Sequence, residues 1–125
     1  MKESIEVIKK TIDKEGFESK KLIKQLKELR QHFIDNLNQP GYVRMIRLAY
    51  ENIEQNGSYT FEYTEENAKS NLKYLLDLLL DYDNKYNKEE LLEYRKMMEG
   101  ETWISPDQEW EGEEEDEVDE IKEPA

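Results

Sequence analysis

The chain has 125 residues, carries 31 acidic against 18 basic side chains for a net charge of −13, and contains no cysteine. That length fits one small domain, and the missing thiol rules out disulfides and thiolate metal sites. The opening Met1-Lys2-Glu3-Ser4-Ile5-Glu6 is no secretory leader, and apolar runs such as Leu78-Leu79-Leu80 are too short to span a bilayer, so a cytoplasmic location without membrane contact is expected.

Ile5, Ile8 and Ile12 recur every three or four residues with Val7 beside them, which predicts a short amphipathic helix over 4–15, stopped by Gly16. Ser19 is placed to cap a second helix whose stripe is Leu22, Leu26, Leu29 and Phe33, flanked by Ile23, Ile34 and Leu37. Asn38-Gln39-Pro40-Gly41 breaks it. A third helix carries Tyr42, Met45, Ile46, Ala49 and Ile53 on one face, with Leu48 and Tyr50 widening it, and stops at Asn56-Gly57.

Residues 58–63 change period. Tyr59, Phe61 and Tyr63 alternate with Ser58, Thr60 and Glu62, which predicts an extended aromatic connector lying across the bundle, since a lone strand has no pairing partner here. Thr64 is the expected cap of a fourth helix with Glu65 and Glu66 in its first turn, and Ala68, Leu72, Leu75, Leu79, Tyr82 and Tyr86 trace its stripe, broadened by Leu76 and Leu80. Asn87 with Glu90 three later suggests a capping box for a last helix bearing Leu91, Leu92, Tyr94, Met97 and Met98, ended by Gly100. The expected fold is therefore an all-α bundle of four or five helices over 1–100, followed by a tail over 101–125 that is disordered past about Gly112.

Charge divides the chain at the same place. From Glu101 to Ala125 there are 12 acidic residues against Lys122, a net of −11, so residues 1–100 sum to −13 + 11 = −2. A nearly neutral body thus carries a polyanionic arm, and such arms act chiefly by meeting positive surfaces.

No residue set announces catalysis. His32 is the sole histidine, and beside Phe33 on a helix it reads as a solvent-facing or helix-end side chain. Neither G-x-G-x-x-G nor a P-loop occurs, and paired carboxylates are uninformative in so acidic a chain. Asp81 to Glu89 resembles a calcium loop only superficially: Tyr86 stands where the loop needs glycine and Leu92 where it needs glutamate. No enzyme activity, cofactor or metal is expected.

Lys20, Lys21, Lys24, Lys27 and Arg30 form a basic strip on the second helix, read as a solvated face or as a resting place for the arm; the arm's charge opposes direct nucleic-acid binding. Both tryptophans lie in the arm. Either Trp103 and Ile104 fold back on the bundle, or Trp110 and the following acids form a linear motif, an aromatic anchor beside an anionic patch. The candidate partner-binding set is Trp103, Ile104, Asp107, Glu109, Trp110, Glu111, Glu113, Glu114, Glu115, Asp116 and Glu117.

The composition resembles that of immunity proteins, secretion chaperones, antitoxins and inhibitors that imitate DNA, a likeness without residue-level matches. It implies a binding protein that inhibits, neutralises or escorts a basic partner such as a nuclease, a nucleic-acid-binding protein or a secreted effector. The alternative is an oligomeric module, a homodimer for instance, using an apolar bundle face: Tyr42, Tyr50, Tyr59, Phe61 and Tyr63 exceed what so small a core is expected to bury.

Overall fold

Five of the amphipathic segments are helices in the computed structural model, which describes residues 1–103: α1 Lys2–Glu15, α2 Lys20–Asn36, α3 Pro40–Asn56, α4 Ala68–Leu80 and α5 Lys85–Glu99, with a 3-10 turn at Gly100–Thr102. No strand occurs among the described residues. The expected disorder past Gly112 concerns residues outside them.

Local chemistry sets most helix ends. Ser19 Oγ accepts from Leu22 N (3.2 Å) to start α2, and Pro40 occupies the first turn of α3, where a missing amide proton costs nothing. Gly57 closes α3 in the left-handed region at φ 69°. Two expected starts are displaced. The α4 cap is Asn67, which accepts from Ser70 N (2.9 Å), so Thr64, Glu65 and Glu66 precede the helix. Thr64 is instead bound to the Asn71 side chain. The α5 cap is Asn84, accepting from Tyr86 N (2.9 Å) and Asn87 N (3.3 Å), while the Asn87 amide donates to the Asp81 carbonyl (3.0 Å). The α4 stripe consequently ends at Leu80, and Tyr86 points into solvent on α5 with 75 % exposure.

Packing neighbours run α1–α2–α3–α5–α4 and back to α1, a closed ring around one core. Ile5, Ile8 and Ile12 of α1, Leu22, Leu26, Leu29 and Phe33 of α2, and Leu72, Leu75, Leu76 and Leu79 of α4 are all buried. Paired surface bridges lace α1 to α4: Lys9 Nζ to Asp77 (2.7 Å) and Lys73 Nζ to Asp13 (2.9 Å). The bond from Lys73 holds the Asp13 carboxyl below its usual range, and the bond to Asp77 raises Lys9. Exposed pairs of this kind orient helices more than they stabilise them.

Phe33 is fully covered, edge-on to Tyr42 (6.5 Å) and tilted against Tyr82 (6.0 Å). Phe33→Ala should cost about 3–5 kcal/mol through lost transfer energy and a residual cavity. A urea titration with a lowered midpoint and unchanged slope is the expected result.

The connector over residues 57–67 joins α3 to α4, which are not principal neighbours, by crossing α5. Tyr59 is buried, while Phe61 and Tyr63 are half-buried between exposed Thr60 and Glu62. Tyr63 stacks on Tyr94 (4.6 Å) and Tyr74 (6.0 Å), and its hydroxyl donates to the Glu90 carboxylate. Tyr94 donates to the Asn71 carbonyl (3.0 Å), so the bond between the Tyr59 and Tyr94 hydroxyls (2.7 Å) is donated by Tyr59.

Burial raises both of these phenols, Tyr59 with further help from the Tyr94 hydroxyl. Below about pH 10 both folded and unfolded states keep the proton. Above it the unfolded chain ionises first, so stability is lost as pH rises toward the folded values, by up to about 1.4 kcal/mol per pH unit for each tyrosine. Urea midpoints should be flat from pH 7 to 9 and fall steeply beyond pH 10, with a shallower fall in Tyr59→Phe.

Candidate functional site

The arm leaves the bundle at the end of α5. Gly100 takes φ 54° and terminates the helix, Thr102 Oγ1 donates to the Glu99 carbonyl (2.8 Å), and Trp103 N donates to the Gly100 carbonyl (3.2 Å). That turn swings the Trp103 ring back over Arg95 (5.0 Å) and Lys96 (5.6 Å). Cation–π contacts at such a half-exposed place contribute about 0.5–1 kcal/mol each, enough to fix where the arm begins.

Beneath the tryptophan is a buried ion cluster. Glu99 is wholly covered and receives Arg44 Nη1 from α3 (3.3 Å) and Arg95 Nε from the preceding turn of its own helix. Arg30, also buried, reaches from α2 to the Val43 carbonyl (3.3 Å), beside Arg44. Three helices therefore converge on one charged layer. A cavity of about 220 Å³ adjoins it, with Tyr42, Leu91 and Leu92 as apolar walls and Lys88 and Arg95 at its edge.

Of the candidate partner-binding residues, Trp103 is placed here. Ile104, Asp107, Glu109, Trp110, Glu111, Glu113, Glu114, Glu115, Asp116 and Glu117 lie outside the described residues. The basic strip is shorter than expected. Lys20, Lys21, Lys24 and Lys27 are exposed, with Lys21 near Glu15 (3.9 Å) and Lys27 near Glu54 (4.0 Å), but Arg30 turns inward. His32 is half-buried rather than solvent-facing, with Nδ1 3.2 Å from the Asn36 amide, on the wall of a cavity of about 350 Å³ between α1 and α2. No group of three metal-ligating side chains and no helix able to cross a membrane occurs among the described residues.

Sequence reasoning missed Arg44, Arg95 and Glu99. One signal was available: Val43-Arg44-Met45-Ile46-Arg47-Leu48 leaves α3 little polar face, and a helix apolar nearly all round sits centrally, so its charges must be buried and matched. No protein-family model, curated protein or solved structure matches this chain.

Proposed function

We propose that this protein is a non-enzymatic binding factor that inhibits, neutralises or escorts a basic protein partner through its acidic arm. The observation that carries the reading is the division of charge, −11 over residues 101–125 against −2 over residues 1–100. A polyanionic segment raises association rates with a cationic groove and selects against acidic partners, and tryptophan supplies the desolvated contact area that charge alone lacks. The root at Trp103, stacked on Arg95, supports the reading by giving the arm a defined starting point.

The oligomeric alternative has less support than its aromatic residues suggest. Tyr50 and Tyr59 are buried, Tyr42, Phe61 and Tyr63 pack against the core, and the exposed large apolar residues among those described are Val7 and Tyr86.

The test uses the full chain with Glu113, Glu114, Glu115 and Glu117 changed to glutamine and Asp116 to asparagine. Bound to a resin, the parent should retain a discrete basic protein up to moderate salt, and the neutralised chain should lose it. Equal retention by both would remove the arm from the mechanism. Dimers of equal strength in both, by sedimentation, would favour the oligomeric module.

A further inference from the structure

The cavity of about 350 Å³ between α1 and α2 is built by one face of each helix. Ser4, Val7 and Ile8 on α1 stand three and four residues apart, as do Gln25, Glu28, Leu29 and His32 on α2, so each set shares one side of its helix. The size falls at the lower end of pockets that hold small ligands.

Four features of the lining specify an occupant. Buried Ile8 and Leu29 make an apolar floor, and the lip includes Val7, one of two large apolar side chains left exposed among the described residues. Gln25 Oε1 is buried and accepts no hydrogen bond from the described residues, and a buried acceptor calls for a donor. Glu3 and Glu28 are exposed at the rim, and neither forms an ion pair among the described residues. With the Met1 amine counted as positive, the rim still carries 1 − 2 = −1. His32 adds no charge. Asn36 Nδ2 donates to the His32 carbonyl (3.2 Å), which fixes that amide nitrogen as the donor to His32 Nδ1 (3.2 Å) as well. The imidazole is thus neutral, with its proton on Nε2, and gives a cation a flat wall.

We propose that this cavity binds a guanidinium group carried on a short aliphatic stem. The planar cation presents several N–H donors in one plane, enough to serve Gln25 Oε1 and the Glu28 carboxylate together, and its face stacks on the His32 ring. The stem covers Val7, Ile8 and Leu29. An ammonium brings the charge without the fork, and a neutral apolar ligand leaves Gln25 Oε1 unpaired. Two sources carry this group, a free alkylguanidine and an arginine side chain of a protein. The second rests on the basic partner proposed above, and it gives that partner a foothold on the bundle apart from the acidic arm.

The test titrates the isotope-enriched full chain with butylguanidinium and follows backbone amide shifts. Saturating shifts over residues 4–8 and 25–32 are expected. Butylurea, the uncharged compound of the same outline, should bind about ten-fold more weakly, and so should butylguanidinium to Glu28→Gln or Gln25→Leu. Gln25→Leu removes an unpaired buried acceptor, so its urea midpoint should be no lower than the parent's, and Glu28 is exposed and can be changed without disturbing the core. The acidic arm competes for any cation. Shifts absent or confined to residues 101–125, butylurea or butylammonium binding as tightly as butylguanidinium, or undiminished binding by both variants would overturn the proposal. A capped tripeptide with a central arginine separates the sources: the same shifts assign the cavity to a protein side chain, and their absence beside butylguanidinium binding assigns it to a free guanidine. Failure here leaves the arm's retention of a basic protein untouched, because that is read on a resin with the cavity unaltered.

Discussion

Glu99→Gln should destabilise the fold by about 3–5 kcal/mol, the usual consequence of removing one member of a buried ion cluster. The replacement keeps the shape of the side chain, so little of the loss can be assigned to packing. What it removes is the negative charge that Arg44 and Arg95 both contact inside a layer where the Glu99 side chain has no exposed surface. Both guanidiniums would then meet a neutral amide where that charge stood. The companion variant separates charge from shape: Glu99→Leu with Arg44→Met and Arg95→Met removes the cluster entirely and should return to within about 1–2 kcal/mol of the parent, because apolar groups of similar volume replace buried ion pairs without large penalty. The shortfall includes the lost stacking of Arg95 under Trp103. Urea midpoints at neutral pH distinguish the cases. A loss below about 1 kcal/mol for Glu99→Gln would mean that the layer is wet and its charges act singly, as exposed pairs do.

Such a layer lies beyond the reach of periodicity, whereas the framework around it does not. Leu22, Leu26, Leu29 and Phe33 recur at helical spacing and every one is buried, because a stripe of that width has only one way to leave water. Gly16, Gly57 and Gly100 mark helix ends for the equally local reason that each takes a positive φ. Cap choice depends on more than spacing. Thr64, Asn67, Asn84 and Asn87 are all competent caps, and the selection falls to the pair whose competitors are engaged elsewhere: Thr64 by Asn71, and Asn87 by the Asp81 carbonyl. The ion cluster is further removed still. An Arg95–Glu99 pair at four-residue spacing is the ordinary signature of an exposed helix face, and only the arrival of α3 with Arg44 turns it into a buried triad. The charge of the arm is legible in composition, but its root is fixed by the Gly100 turn and the stacking of Trp103, which are tertiary facts.

Asn71→Asp should be the most pH-sensitive single change in the bundle. Asn71 is fully buried and organises the chain entering α4. Its Oδ1 accepts from Thr64 N (2.9 Å) and Thr64 Oγ1 (3.3 Å), and its Nδ2 faces the carbonyls of Thr64 (3.4 Å), Glu66 (3.0 Å) and Asn67 (3.2 Å). Aspartate has the same outline, yet it would point an oxygen at three carbonyl oxygens in place of a donor. Ionised, that oxygen is both desolvated and repelled, which drives the new carboxyl to hold its proton well above the usual carboxylate range. The folded state then keeps a proton that the unfolded chain releases near pH 4, and the penalty grows by up to about 1.4 kcal/mol per pH unit from there to the folded value. A deficit of about 3 kcal/mol or more is expected at pH 8, shrinking markedly at pH 4.5, where the protonated acid regains one donor. Asn71→Ala, which loses the same bonds without gaining a charge, should cost about 2–3 kcal/mol at both pH values. Parallel pH dependence in the two variants would mean that residue 71 reaches water, and the loop from Thr64 to Asn67 would then have to be held by something other than this side chain.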